Sequence, residues 1–352
     1  ERLIEAFLST KYPNLVEVII ADGGSNDRTQ DIVKKLSFED SRVKLLHNPL
    51  KNQSAGLNLI LQKCTGEIFL RADAHSEYAP DYIERCVEAL LESKALNVGG
   101  AQRFVAKTPL QAGIALASRS ILGNGGATYR DVNYNGYAET VYLGCFWRKA
   151  LLDVSGYTTE AATNEDTELN LKLIKYTFDT TQITNQDAEL NQRLLYKENN
   201  AIYISSKICV WYYPRNSWKS LFIQYFKYGR GRYLTSIKHT QNLQLRGKLP
   251  FLLISATLLL SLIDFIIPQL SLHTEALILT GLVLPFGESL RTTFKFRKNF
   301  TTEFWRGAEE ETPSFLSLWF YCGVTLLTMP IAHFSGYAYQ LFRRRVLKVA
   351  GW

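Results

Sequence analysis

The stretch Glu67-Ile68-Phe69-Leu70-Arg71-Ala72-Asp73-Ala74-His75 decides how the rest of the chain is read. A β-prone apolar run stops at a carboxylate and an imidazole two residues apart. Side chains at i and i+2 of an extended segment point the same way, so Asp73 and His75 can reach one divalent cation beyond the strand end. Open α/β sheets hold their ligands at the carboxyl ends of their strands. Taken alone, Asp-x-His is better explained by a strand and a polar turn. Its neighbours give it weight.

Upstream, Val16 to Ile20 reads as a buried strand that runs into Asp22-Gly23-Gly24-Ser25-Asn26-Asp27. The glycines permit a tight strand-to-helix turn. Thr29 to Leu36 predicts a helix with Ile32, Val33 and Leu36 inward, and Val43 to Leu46 a short strand. Ser54 to Cys64 predicts a helix with Leu57, Ile60, Leu61 and Cys64 inward, closed near Gly66. After Asp73, Pro80 opens a helix carrying Ile83, Val87, Leu90 and Leu91 on one face. This alternation predicts an α/β fold, a mostly parallel sheet with helices on both faces.

A strand ending in Asp-Gly-Gly-Ser-x-Asp, followed further on by a strand ending in Asp-x-His, resembles the GT-A nucleotide-diphospho-sugar transferase domain of family 2 glycosyltransferases. The nearer resemblance is to their membrane-bound, succinoglycan-biosynthesis type. It is carried by Arg71 to His75, Thr140 to Phe146, Asn185 to Asn191, Tyr213-Pro214-Arg215 and Gln224 to Gly229, spread from Glu1 to about Arg246. The resemblance implies a catalytic domain over 1–215, an interfacial helix and basic linker over 216–248, and a membrane domain over 249–352. It also implies a nucleotide-sugar donor, UDP-linked, with Asp22 reading the uracil imide and Gly23 and Ser25 lining the same pocket. Two departures stand out. The family begins with a strand ending in Pro-x-x-Asn-Glu-Glu, whereas Glu1-Arg2-Leu3-Ile4 reads as the helix after it; either the chain is a fragment or its start lies upstream. Processive synthases carry Gln-x-x-Arg-Trp, whereas here Gln224 precedes Tyr225-Phe226-Lys227-Tyr228, which argues against a polymerase.

Asn-x-Asp-x-Glu-Leu-Asn occurs twice, at Asn164 to Asn170 and at Asn185 to Asn191, within a local repeat of Tyr157 to Leu173 on Phe178 to Leu194. Each copy sets an Asp at a helix N-terminus, where the dipole favours a negative charge. One of them is the candidate general base. The strand Ala201 to Ile204 and Tyr213-Pro214-Arg215 follow the second copy and favour Asp187; the spacing from Gly156 keeps Asp166 open.

Sugar transfer from a nucleoside diphosphate needs its leaving group stabilised, which a Mg²⁺ or Mn²⁺ ion held by Asp73 and His75 would do. The imidazole tilts the choice towards Mn²⁺. The acceptor hydroxyl loses its proton to a carboxylate, Asp187 or Asp166. A single displacement inverts the anomeric centre. Lys227, Arg230 and Arg232, set around Gly229 and Gly231, suit phosphate oxygens.

The chain has 352 residues, 46% hydrophobic and 12% aromatic, ample for a core. Its net charge of +7 is concentrated around the apolar C-terminal third, which fits a membrane lipid surface and not nucleic acid. The five cysteines are scattered singly, with no metal or disulfide spacing, so a reducing compartment is expected. No secretory signal is visible. Leu249 to Ile267 and Phe315 to Phe342 are long enough to cross a bilayer, and Ala276 to Gly287 is a third, shorter candidate. Ser217 to Tyr228 reads as an interfacial helix with an aromatic face. These features predict a multi-pass protein of the plasma (inner) membrane, its catalytic domain facing the cytoplasm and its acceptor a lipid-linked or membrane-proximal saccharide. A non-catalytic nucleotide-sugar-binding scaffold and a processive polysaccharide synthase are the alternatives. A dinucleotide oxidoreductase is excluded, because no Gly-x-Gly-x-x-Gly follows a strand.

Overall fold

The computed structural model describes residues 1–74, 76–124, 127–157, 186–238 and 248–349. His75, Asp166 and the first copy of the Asn-x-Asp-x-Glu-Leu-Asn motif lie outside the described residues. In chain order the elements are α1 (Arg2–Leu8), β1 (Val18–Asp22), α2 (Thr29–Glu39), β2 (Val43–His47), α3 (Gln53–Lys63), β3 (Ile68–Leu70), β4 (Ser76–Tyr78), α4 (Tyr82–Ser93) and β5 (Asn97–Phe104). Next come α5 (Pro109–Arg119), α6 (Ile121–Asn124), β6 (Gly136–Tyr137), β7 (Tyr142–Trp147), α7 (Arg148–Asp153), α8 (Gln186–Lys197) and β8 (Ile202–Tyr212). The last are α9 (Trp218–Lys238), α10 (Leu249–Ile266), α11 (Thr274–Phe296), α12 (Phe300–Glu303) and α13 (Phe315–Arg345). The chain forms two compact units, one built mainly from Glu1–Gln102 with Val132–Val210, the other from Arg103–Asp131 with Trp211–Ala350. Residues 103–131 therefore pack with the C-terminal unit, although in sequence they lie inside the 1–215 span.

In the first unit β1 to β3 and α2 to α4 fall close to where hydrophobic spacing predicts, with ends shifted by a few residues. Asn52 caps α3 by accepting from Ala55 N at 2.8 Å. Val33 and Leu36 of α2 pack with Ile4 and Val43. In α4 the inward face is Ile83, Cys86, Val87 and Leu90, whereas Leu91, expected inward, is 58% exposed. Cys86 occupies the buried position instead, because its turn of the helix points at Cys145 and Tyr82. A second core joins Phe7, Tyr78 and Tyr82, with ring centroids 5.0 and 4.7 Å apart, to Val98, Cys145 and Ile208.

The sheet is mixed where the sequence predicts mostly parallel. β1 and β2 are parallel, in register from Val18–Val43 to Asp22–His47. The other sheet runs β3-β7-β5-β8-β4, with β6 on β8, and β7 lies antiparallel to both β3 and β5. A strand–helix–strand crossover enforces parallel pairing. β7 instead arrives after the long excursion from β5, so nothing holds it to that direction. β5 and β8 approach closely at Gly100, where a Cβ would stand 2.2 Å from the Ile208 carbonyl oxygen. β1 and β3 are end strands of their sheets, and both border a cavity of about 570 Å³ roofed by Leu57, Ile60, Ile83 and Val87.

The second unit is helical. α9 crosses α13 where both offer glycine: a Cβ on Gly229 would lie 2.0 Å from the His333 carbonyl oxygen, and one on Gly336 1.9 Å from that of Phe226. Small residues let the two backbones touch, as in membrane helix pairs. Gly229 thus serves helix packing, not the backbone freedom expected beside phosphate-binding cations. Among the described residues two helices are long and apolar enough to cross a membrane, Leu249–Ile266 with mean hydropathy 2.2 and Phe315–Arg345 with 1.6. Ala276 to Gly287 lies within α11, which does not meet that measure. Asp264, the one charge in the first of these helices, accepts from Leu272 N and Thr274 Oγ1 at 3.0 Å and so caps α11.

Candidate active site

Two carboxylate-bearing turns end strands of the first unit. At the end of β1, Asp22 is 6% exposed and spends its carboxylate on its own loop. Oδ2 accepts from Gly24 N and from Gln30 Nε2, both at 2.9 Å, while Oδ1 accepts from the Ser25 hydroxyl. The Ser25 hydroxyl, with the amides of Ser25 and Gly24, holds this carboxyl below the usual range. Gly24 sits at φ 87°, in the left-handed region that glycine enters without strain. Asp22, Gly23 and Ser25 therefore form one preorganised turn, and Asp22 is its internal anchor.

At the end of β3 the ladder continues for one more bond, Arg71 N to Gly144 O at 3.0 Å. This turns the Arg71 side chain, 4% exposed, into the interior. Its Nε donates to Asp73 Oδ1 at 3.2 Å, and its Nη2 lies 3.4 Å from Asp73 Oδ2. Its Nη1 donates to Asp187 Oδ1. Gln53 Nε2 adds a bond to Asp73 Oδ1 at 3.1 Å. The Tyr157 ring stands 6.0 Å from the guanidinium carbon, within cation–π range. That ring is set by a reciprocal clip: Tyr157 N donates to Asn58 Oδ1 at 2.8 Å, and Asn58 Nδ2 donates to Tyr157 O at 2.7 Å.

Asp187 occupies the first turn of α8, as the motif predicts. The helix is pinned by other residues of the same motif and its sequel. Asn191, 2% exposed, accepts from Asn97 Nδ2 at 3.0 Å and donates to Thr140 Oγ1 at 2.8 Å. Arg193 donates to Gly156 O at 2.7 Å, and Leu190 and Leu194 are fully buried. Burial raises the Asp187 carboxyl above the ordinary range, Arg71 opposes the rise and Asp73 adds to it. The Asp187 side chain nevertheless keeps 37% of its surface exposed.

Asp73 and Asp187, assigned separately by the sequence, are thus brought together by Arg71. Lys227, Arg230 and Arg232 lie on α9 in the second unit, where Arg230 Nε donates to Gln340 Oε1 at 2.9 Å and its guanidinium stands 5.2 Å from the Tyr339 ring. The sequence reading gave no role to Arg71, Tyr157 or the Asn97–Asn191 pair. A lone arginine in an otherwise apolar strand was the available signal. Among the described residues no three His, Cys, Asp or Glu side chains are grouped to hold a metal ion. Asp73, a hard oxygen donor at a strand end, fits one coordination position of Mg²⁺ or Mn²⁺.

Residues 1–147 match the family model for glycosyl transferase family 2. The chain is 35% identical over 252 residues to the succinoglycan biosynthesis protein ExoA of Rhizobium meliloti (strain 1021), covering 71% of this chain and 70% of that one. It is 26% identical over 242 residues to the dolichyl N-acetyl-alpha-D-glucosaminyl phosphate 3-beta-D-2,3-diacetamido-2,3-dideoxy-beta-D-glucuronosyltransferase of Methanococcus voltae, covering 66% and 68%. The mannosyltransferase PcManGT from Pyrobaculum calidifontis, in complex with GDP-Man and Mn²⁺, aligns with TM-score 0.43 and 14% identity over 97% of this chain and 83% of that one. This chain belongs to glycosyl transferase family 2 and is a glycosyltransferase of the GT-A fold.

Proposed function

We propose that this protein moves a sugar from a UDP-linked donor to a lipid-linked or membrane-proximal saccharide, with inversion, in exopolysaccharide or cell-surface glycan synthesis. Asp187 takes the proton of the acceptor hydroxyl, and its raised affinity for protons suits a base that must accept one. Asp73, with His75, holds a divalent cation, which when bound neutralises the departing diphosphate. The turn of Asp22, Gly23 and Ser25 receives the nucleotide; Asp22 shapes that loop and meets the uracil imide from it. Lys227, Arg230 and Arg232 supply positive charge for the phosphates. The helices Leu249–Ile266 and Phe315–Arg345 anchor the protein in the inner membrane, with the transferase unit in the cytoplasm. The similarity to a succinoglycan biosynthesis protein supports the glycan class.

The observation that carries this reading is the pairing of Asp187 and Asp73 through one guanidinium, which sets a base beside a cation-binding carboxylate. The test is transfer of radiolabelled sugar from a panel of UDP-sugars to lipid-linked saccharides by the full chain in membranes. Incorporation that falls about 100-fold or more in Asp187→Asn, with UDP affinity kept, is the expected result for a lost general base. Undiminished transfer by that variant overturns the assignment.

A further inference from the structure

Two carboxylates in one pocket repel each other, and each disfavours the charged form of its neighbour. Asp73 and Asp187 come from distant parts of the chain, and among the described residues the cation paired with both is the buried guanidinium of Arg71. Arg71 serves them from different parts of its fork: Nε and Nη2 face Asp73, and Nη1 faces Asp187. A lysine ammonium, a point charge on a flexible stem, cannot hold both in one geometry. The Arg71 backbone is held by its bond from N to Gly144 O, and the Tyr157 ring stands 6.0 Å from the guanidinium carbon. Gly156, at φ 66°, makes the Asn58–Tyr157 clip possible, since a Cβ there would stand 2.5 Å from Asn58 Oδ1.

We propose that Arg71 is a positioning residue for the transfer reaction, holding the Asp187 carboxylate in line with Asp73 from one guanidinium. It touches neither donor nor acceptor; it acts by fixing where the base stands relative to the bound diphosphate. The inference rests on the reading of Asp187 as the base. A carboxylate that has lost its partner still binds protons, but it no longer points along one line, and misplacement by an ångström costs about 100-fold in rate.

The test is a double-mutant cycle on the full chain in membranes. Arg71→Lys, which keeps the charge and loses the fork, lowers kcat by about 100-fold and changes the KM for donor by less than about threefold. In the Asp187→Asn background the same substitution costs less by about tenfold or more, because one of the two carboxylates it aligns is gone. Binding of Mn²⁺ alone, followed by electron paramagnetic resonance, reports whether Asp73 survives, and a denaturation curve reports the fold. Equal multiplicative losses in both backgrounds would make Arg71 merely structural and overturn the proposal, as would unchanged kcat in Arg71→Lys. Full activity in Asp187→Asn alone is a separate outcome: it removes the base assignment, and this inference with it.

Discussion

Asp187 Oδ1 is bonded to Nη1 of Arg71, a guanidinium whose side chain is only 4% exposed. A charge that deep is tolerated when it is paired on more than one side, and Asp73 supplies the other side at 3.2 Å. The two ends of the proposed chemistry, cation and base, are therefore fixed by one residue that lies between them.

Asp73→Ala removes Mn²⁺-dependent binding of a nucleoside diphosphate, measured by calorimetry, and leaves the fold in place. Arg71 then keeps Asp187 as its counter-ion but loses the other carboxylate, so stability falls by about 1–3 kcal/mol. Binding as tight as in the unchanged protein would remove Asp73 from the cation site.

Asp187→Asn lowers transfer by about 100-fold or more and spares donor affinity, whereas Asp166→Asn costs much less. Steady-state kinetics on the two variants ranks them. The reverse order would make Asp166 the base, and mild, equal losses in both would favour a non-catalytic scaffold.

The rate follows the ionised form of Asp187, so kcat/KM rises with pH through a midpoint above that of an ordinary aspartate, because burial raises this carboxyl, with Arg71 opposing and Asp73 adding. For stability, a carboxyl raised in the fold contributes most below its unfolded value and loses that contribution as pH climbs through the folded value. Asp22, held low by Ser25, has the opposite sign: its contribution is present above the unfolded value and lost as pH falls. Asp187→Asn removes the first slope and Asp22→Asn the second, which urea titrations across pH can separate. An acid limb at the position of an exposed aspartate would contradict the assignment.

Gly336→Ala destabilises the α9–α13 crossing by about 1–3 kcal/mol through overpacking, since its Cβ would meet the Phe226 carbonyl oxygen at 1.9 Å. Gly281→Ala, with nothing within 4 Å, leaves thermal stability in detergent unchanged or slightly raised. Equal melting temperatures for the two variants would remove the crossing from the account.

Local pattern was enough for much of this protein. The apolar runs Val16 to Ile20 and Ile68 to Leu70, the amphipathic spacing of Thr29 to Leu36 and Ser54 to Cys64, and the Asp that follows each run are legible from side-chain period and turn chemistry, which act over a few residues; the elements form there with ends shifted by a few positions. Hydropathy likewise marked Leu249 to Ile267 and Phe315 to Phe342, where the helices Leu249–Ile266 and Phe315–Arg345 form. Only the tertiary structure decided what depends on distant segments meeting. The antiparallel insertion of β7 between β3 and β5 follows from where a long excursion returns, which no periodicity records. Asn191, read as part of a motif, is a buried pin because Asn97 and Thr140 come to it from elsewhere in the chain. Arg71 was legible as the first residue of a motif run, just past an apolar strand, with no role of its own. Its meaning lay in Asp187, far along the sequence, because a buried cation is defined by the charges that folding brings to it.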